Sequence, residues 1–468
     1  MKVEQIYTGC IAHAAYYIEN NGEAAIFDPL REVQPYIEKA KKDNAQIKYV
    51  FETHFHADFV SGHIDLAKKT GAKIVYGPTA KTSFEAIVAE DNQVFKLGNY
   101  SIQAMHTPGH TMESTCYLLI DENGKTHGII TGDTLFIGDV GRPDLAQHVV
   151  AELTQEKLAS HLYDSLRNKI MPLSDDLIVY PNHGAGSACG KNMSKETTDT
   201  LGHQKQVNYA LRADMSREEF TSELLDGLNN PPAYFPKNVL MNINGYESLD
   251  SILEKGSTAL DPSAFEAVAS STDALMLDTR DAQAFAEAHI PNAINIGIDG
   301  NFAPWVGALI TDIQQPILII ADEGREQEVI TRLSRVGFDH SIGFLKGGMQ
   351  AWQSAGFEIN HIQRLTPQAF AEAYNKDIKI IDVRNAAEYK SEHLNGAINI
   401  PLDAINEHLS EFPKDETFIL HCAGGYRSMI AASILSARAW QNLMDVEGGF
   451  NAIKSLGLEI VSKACNSK

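Results

Sequence analysis

Short apolar, β-branched runs ending in polar turns recur through the first half of the chain, at residues 47–51, 73–76, 101–105, 127–131 and 177–180. Each is too short for a helix and rich in residues that fit a pleated surface, so each predicts a strand. Four of the five lead straight into a chemical group: His54, His106 with His110, Asp133, and His183. Strand ends that converge on one edge of a sheet are where α/β architectures collect their sites. The pattern alone therefore allows these groups to meet in space.

The pattern breaks at residues 227–236, a stretch dense in Asn and Pro that marks the end of a first domain. Beyond it the chain repeats itself. Leu277-Asp278-Thr279-Arg280 is matched by Ile381-Asp382-Val383-Arg384, and the block from His289 to Ile296 by that from His393 to Ile400. In both copies eleven positions separate the aspartate from the histidine. Gly347-Gly348-Met349 and Gly448-Gly449-Phe450 then recur near the two ends, so two homologous α/β units of roughly 100 residues follow the first domain. The expected domains are 1–240, 241–360 and 361–468.

A length of 468 residues suits about three domains. Hydrophobic residues at 44% and charged residues at 21% are ordinary for a soluble globular protein. A formal charge of -22 argues against nucleic acid or an anionic membrane as a partner, because phosphate binding needs a basic surface. The N-terminus has no apolar signal core, and no run of about 18 apolar residues occurs, so a cytoplasmic protein is expected. A homo-oligomer is also expected. The five cysteines, Cys10, Cys116, Cys189, Cys422 and Cys465, are thinly spread with no Cys-x-x-Cys pair, which points away from a disulfide framework and leaves room for a working thiol.

His54 and His56 stand two apart in Thr53-His54-Phe55-His56-Ala57-Asp58-Phe59, and His110 and Asp133 close later strands. Four donors so placed predict a metal site. Phe59 has no lone pair, whereas a two-metal hydrolase of this type would carry a histidine there. One ion, and oxygen activation rather than hydrolysis, is the expectation. These motifs, with the later Gly-His, Gly-Asp and final His183, resemble the metallo-β-lactamase superfamily over roughly residues 1–235. The resemblance implies an αββα sandwich with its metals at this edge.

The run Gly138-Asp139-Val140-Gly141-Arg142-Pro143-Asp144 resembles the persulfide dioxygenase branch of that superfamily. That likeness implies one Fe(II) per chain held by His54, His110 and Asp133, no organic cofactor, and Arg142 near the substrate. Two imidazoles and one carboxylate leave positions where a substrate sulfur and O2 can both bind. His56, Asp58 and His183 then orient ligands or substrate. The residues leave two alternatives: His56 as a direct ligand, and a weak second site from Asp58 with His63 or His183. Cys189 follows His183 in a glycine-rich loop, where a partly exposed thiol could carry a sulfane sulfur, the alternative being a small residue packed in a tight turn.

A second candidate site lies in the last domain. Residues 418–421 predict a strand, Cys422-Ala423-Gly424-Gly425-Tyr426-Arg427 a loop, and 428–438 a helix. The amides around Gly424 and Gly425 and the helix N-terminus would face the Cys422 sulfur and stabilise a thiolate, with Arg427 adding positive charge. Cys-x-x-Gly-x-Arg, with Asp382-Val383-Arg384 and Glu388 upstream, resembles the rhodanese family over roughly residues 365–460. The first copy has Ala321-Asp322-Glu323-Gly324-Arg325-Glu326 in this place, with no cysteine, and reads as a degenerate domain that positions its neighbours.

Together the resemblances imply an α/β multidomain chain, an N-terminal metallo-β-lactamase sandwich followed by two rhodanese-like domains. They imply oxidation of a low-molecular-weight thiol persulfide by O2 to sulfite, coupled to sulfur transfer that forms or uses thiosulfate, in sulfide detoxification. The thiol carrier could be glutathione, coenzyme A or another small thiol. The rival readings are a thioester hydrolase of the glyoxalase II type, which would need two metals, and a non-catalytic sulfur carrier or sensor.

Overall fold

A computed structural model describes residues 2–144, 153–228, 231–374 and 378–462. Cys465 and positions 229–230 of the expected linker lie outside the described residues. The chain divides into two compact units, residues 1–251 with 333–337, and the remainder.

The first unit holds two six-stranded sheets. One follows chain order, β1 (Val3–Thr8), β2 (His13–Asn20), β3 (Glu23–Phe27), β4 (Gln46–Phe51), β5 (Lys73–Tyr76) and β6 (Ile87–Val88). The other contains β7 (Val94–Leu97), β8 (Tyr100–His106), β9 (Thr115–Ile120), β10 (Thr126–Gly132), β11 (Ile178–Pro181) and β12 (Asp199–Thr200), in the same kind of order. Side-chain alternation with period 2 sorts the layers. Ala14, Tyr16, Ile18, Phe27 and Phe51 meet Phe95, Ile102, Tyr117 and Ile130 between the sheets. Ala15, Tyr17, Ile26 and Val50 turn outward onto the helices Gln34–Lys42 and His63–Thr70, through Tyr36, Ala40 and Leu66. On the far side, Met105, Ile129 and Val179 pack under the helices Gln155–Ser165 and Arg217–Leu225. The result is helix, sheet, sheet, helix: the expected αββα sandwich.

The five strands expected from sequence are β4, β5, β8, β10 and β11, within one or two residues. Strand β2, which the sequence pattern does not single out, is buried along its first six residues, so the polar half of the alternation is missing.

The second unit contains two five-stranded sheets of identical topology. β13 (Ala259–Leu260), β14 (Leu275–Asp278), β15 (Ile294–Asn295), β16 (Ile317–Ile320) and β17 (Ser341–Leu345) run β13-β17-β16-β14-β15, all parallel. β18 (Gln363–Leu365), β19 (Lys379–Asp382), β21 (Ile398–Asn399), β22 (Phe418–His421) and β23 (Leu443–Val446) run β18-β23-β22-β19-β21, again all parallel. A small extra pair, β20 (Glu392–Leu394) with β24 (Ile460–Ser462), flanks the second sheet.

The repeated motifs turn out to be structural. Arg280 and Arg384 each fold back on the aspartate two residues earlier, Nη2 to Oδ2 at 2.6 Å in both copies. Asn295 and Asn399 each donate to the carbonyls of the aspartate and arginine of their own motif. His289 and His393 stack on Phe285 and Tyr389 with ring centroids 4.0 and 3.9 Å apart.

Candidate metal centre and thiol site

The turn after β4 is fixed before any metal is considered. Asp28, at the end of β3 with φ +49, accepts from the Thr53 amide at 2.8 Å and from the Thr53 hydroxyl at 3.1 Å. Asn242 donates to the carbonyls of His56 and Phe59, at 2.8 and 2.9 Å, and takes the Ser61 amide at 2.9 Å. Phe59 is fully buried, its ring 4.3 Å from those of both His13 and His56.

The donors meet where the strand ends converge. His54 Nε2 lies 3.8 Å and His110 Nε2 3.4 Å from Asp133 Oδ2. His183 Nε2 lies 3.6 Å from the other oxygen, Asp133 Oδ1, and 3.6 Å from Asp58 Oδ2. All five residues are buried.

The tautomers follow from the second nitrogen of each ring. His110 Nδ1 faces the Arg142 carbonyl at 2.7 Å and His183 Nδ1 the Ala12 carbonyl at 3.1 Å. A carbonyl only accepts, so both Nδ1 atoms carry the proton. Thr53 gives its one hydroxyl proton to Asp28, so it accepts from His54 Nδ1 at 3.0 Å. With the rings neutral, three Nε2 lone pairs thus point at one carboxylate, and neither oxygen of Asp133 has a hydrogen-bond partner. Lone pairs facing a carboxylate repel in a buried site unless a cation lies between them. The donor set fits a divalent cation.

The buried donors fall into three groups, within each of which the ligand atoms lie inside 4.8 Å of one another: His54, His110 and Asp133; Asp58, His183 and Cys189; and Asp28, Glu52 and His56. The first is the set expected for iron. The third shows what holds His56: its Nε2 is 2.8 Å from Asp28 Oδ1 and 3.4 Å from Glu52 Oε2. Burial alone would lower the pKa of His56, but these two carboxylates outweigh it and raise it well above the ordinary value. His54 goes the other way, lowered well below by burial and by the neighbouring imidazoles. Burial raises Glu52 to about 7.

Sequence reasoning missed Asp28, Glu52 and Asn242. None stands in a motif, and only the fold brings them under the turn.

One expectation needs correction. Cys189 is not partly exposed: it is 1% accessible, and burial, then Asp58 and Asp133, pushes its thiol well above the usual value. Without a bound cation it is a protonated, poorly nucleophilic group. His183 Nε2 lies 3.6 Å from both Asp133 Oδ1 and Asp58 Oδ2, which keeps open the alternative of a second site from Asp58 with His183. Arg142 forks onto Asp144, Nε to Oδ1 at 2.7 Å and Nη2 to Oδ2 at 2.6 Å, and its backbone carbonyl orients His110.

The thiol site is built by strand β22 and the helix Tyr426–Ala437. Gly425 is the helix N-cap with φ +97, a conformation glycine adopts without strain, and its amide donates to Cys422 Sγ at 3.1 Å. The Ser428 hydroxyl lies 3.6 Å from the same sulfur. Gly424 is exposed above the buried Cys422. The Cys422 carbonyl accepts from the Phe450 amide at 2.7 Å, which pins the loop from below. Arg427 forks onto Glu388 at 2.6 and 2.8 Å, so its charge is largely met by that carboxylate. In the first copy Ala321 occupies the position of Cys422.

These layers and donors define the class: the chain is an enzyme of the metallo-beta-lactamase superfamily that also carries two rhodanese-like domains. The metallo-beta-lactamase superfamily matches residues 8–183, and the rhodanese-like domain matches twice, at 261–355 and 366–456. Among solved structures, a metallo-beta-lactamase from Staphylococcus aureus subsp. aureus COL is 30% identical, with 74% of this chain and 98% of that one covered and a TM-score of 0.65. A probable hydroxyacylglutathione hydrolase of Schizosaccharomyces pombe is 26% identical over 48% of this chain and 91% of its own length. The hydroxyacylglutathione hydrolase of Dictyostelium discoideum is 32% identical over 39% of this chain and 66% of its own.

Proposed function

We propose that the chain oxidises a low-molecular-weight thiol persulfide with O2 at the first site and moves sulfane sulfur through Cys422 at the second. The observation that carries this reading is the hold of Asp28 on His56. It leaves His54, His110 and Asp133 Oδ2 as the primary donors, two imidazoles and one carboxylate, the set that suits ferrous iron with open coordination positions. A ferrous ion held by these three residues would supply the one-electron chemistry that O2 needs to react with sulfur.

The chain's own groups prepare the site. Thr53 and the Arg142 carbonyl hold the rings of His54 and His110 with their lone pairs inward. Phe59 and the surrounding core keep water from the back of the turn. The net reaction consumes one thiol persulfide, one O2 and one water and yields the thiol, sulfite and two protons.

At the second site, the Cys422 thiolate attacks the outer sulfur of thiosulfate. The S–S bond breaks, sulfite leaves, and the cysteine persulfide retains the sulfane sulfur. Charge is conserved, and the reverse step consumes sulfite. The Gly425 amide stabilises the anionic sulfur in both directions. Sulfite is thus the product of one site and the acceptor of the other.

A second reading is favoured by a specific observation. Asp58, His183 and Cys189, with Asp133 Oδ1, could hold a second cation despite Phe59, and a two-metal centre suits thioester hydrolysis, the activity named for the curated relatives.

The deciding experiment loads the full chain anaerobically with iron, measures metal content, and follows O2 uptake with a thiol persulfide alongside hydrolysis of a glutathione thioester. Uptake at about one iron per chain supports the first reading. Hydrolysis at two metals without uptake replaces it with the second. His110→Ala should abolish O2 uptake and spare sulfur transfer, and Cys422→Ser should do the reverse.

A further inference from the structure

The copy without a cysteine reaches into the sulfur loop of the copy that has one. Tyr426 follows Gly425, whose amide meets the Cys422 sulfur. Its hydroxyl donates to the Gly297 carbonyl of the first copy at 2.8 Å. Its ring fills a notch that exists because two residues have no side chain. A Cβ at Gly300 would stand 2.3 to 2.8 Å from three ring carbons, and one at Gly297 would stand 3.3 Å from Cε2, one of the same three.

The segment that makes this notch is itself held, residue by residue, by the first copy. The Ile298 amide donates to the Thr279 carbonyl at 2.9 Å, and the Ile298 carbonyl accepts from Arg332 at 2.6 Å. Asp299 takes a fork from Arg325, 2.8 Å at each oxygen. Arg325 follows Gly324 (φ +88) just as Tyr426 follows Gly425 (φ +97). The corresponding residues of the two loops therefore converge on one four-residue segment. From the opposite side, Arg364 Nη1 bonds Gln283 of the first copy at 2.7 Å, while its Nη2 would stand 3.1 Å from a Cβ at Gly425.

We propose that the cysteine-less copy is a mould for the sulfur loop: the segment Gly297-Ile298-Asp299-Gly300, braced by Arg325, seats Tyr426 and thereby holds the Gly425 amide on Cys422. Tyr426 and Gly300 are positioning residues, since neither touches the reacting sulfur. The inference builds on Cys422 as the sulfur carrier, but its test does not need that reading to hold.

The experiment uses the full-length chain with Gly300→Ala and Tyr426→Phe. The rate at which iodoacetamide alkylates Cys422 is followed against pH by mass spectrometry of its peptide, next to kcat and KM for sulfur transfer from thiosulfate. Gly300→Ala forces the ring out of the notch. The alkylation midpoint should then rise by about one pH unit and kcat fall about tenfold, with KM changed about twofold or less. Tyr426→Phe keeps the ring and loses the anchoring bond, so a smaller shift of the same sign is expected, about threefold in rate. A variant destabilised elsewhere would lose folded protein without moving the midpoint. If the folded variants both keep the wild-type midpoint, the mould is wrong. If Gly300→Ala does not fold, Tyr426→Phe alone decides. A wild-type chain that alkylates readily at neutral pH but transfers no sulfur would defeat the functional reading, while the variants would still test the mould.

Discussion

At the scale of single residues, the metal centre depends on groups that are not ligands. Gly141 is one. Its amide bonds the Asp133 carbonyl at 2.9 Å, and a Cβ there would stand 2.2 Å from that carbonyl oxygen and 2.9 Å from His110 Nδ1. Neither backbone nor a packed imidazole can give by that much. Gly141→Ala should therefore displace His110 and lower metal affinity by about tenfold to a hundredfold, the range for lost supporting contacts, while circular dichroism stays native. Metal analysis after dialysis against a graded chelator series would measure this, and unchanged retention would refute it. The candidate donors that the fold brings together were legible in the sequence because metals demand particular residue types at strand ends. Asp28, Glu52 and Asn242 were not, because a carboxylate or amide that supports a ligand from a distant part of the chain leaves no local signature. Cys189 was legible as a residue near the site but not as a buried one, since a glycine-rich loop says nothing about what closes over it.

At the scale of elements, strand β23 carries a buried carboxyl with an expected titration. Asp445 is fully buried, bonds Arg364 Nε at 3.0 Å, and has one oxygen without a partner. Burial raises its pKa to about 6 from 3.8. A carboxyl that binds its proton more tightly when folded stabilises the fold fully below its unfolded pKa, and that contribution is lost as pH rises through the folded value. The second unit should therefore lose on the order of 1–3 kcal/mol between pH 4 and 6 from this group. Asp445→Asn should flatten that part of the pH–stability curve, measured by urea denaturation, and an unchanged slope would contradict the assignment. Element prediction from the sequence followed the same logic of burial. Short β-branched runs closed by polar turns stood out, whereas β2, enclosed for most of its length, showed no alternation to read.

At the scale of the whole molecule, the duplication is the clearest feature of sequence and structure alike. Two sheets of the same strand order carry the same aspartate–arginine brackets and the same stacked histidines, and only one retains the thiol. Those repeated motifs could be read as chemistry, but their partners are backbone carbonyls and each other, so they are the frame that any such loop requires. Among the described residues no helix is long and apolar enough to cross a membrane. The placement of Asp133 has a consequence for how the protein takes up metal. One oxygen faces His54 and His110 and the other faces His183, so a cation on either side would withdraw electron density that its neighbour would share. Were cations to occupy both positions, their binding should therefore be antagonistic. A calorimetric titration with Zn2+ should resolve two steps with the second at least tenfold weaker, and two equal steps would count against a shared carboxylate. Metal stoichiometry in this protein would then be a variable set by supply, and the cell's free-metal level would tune which chemistry the same residues perform.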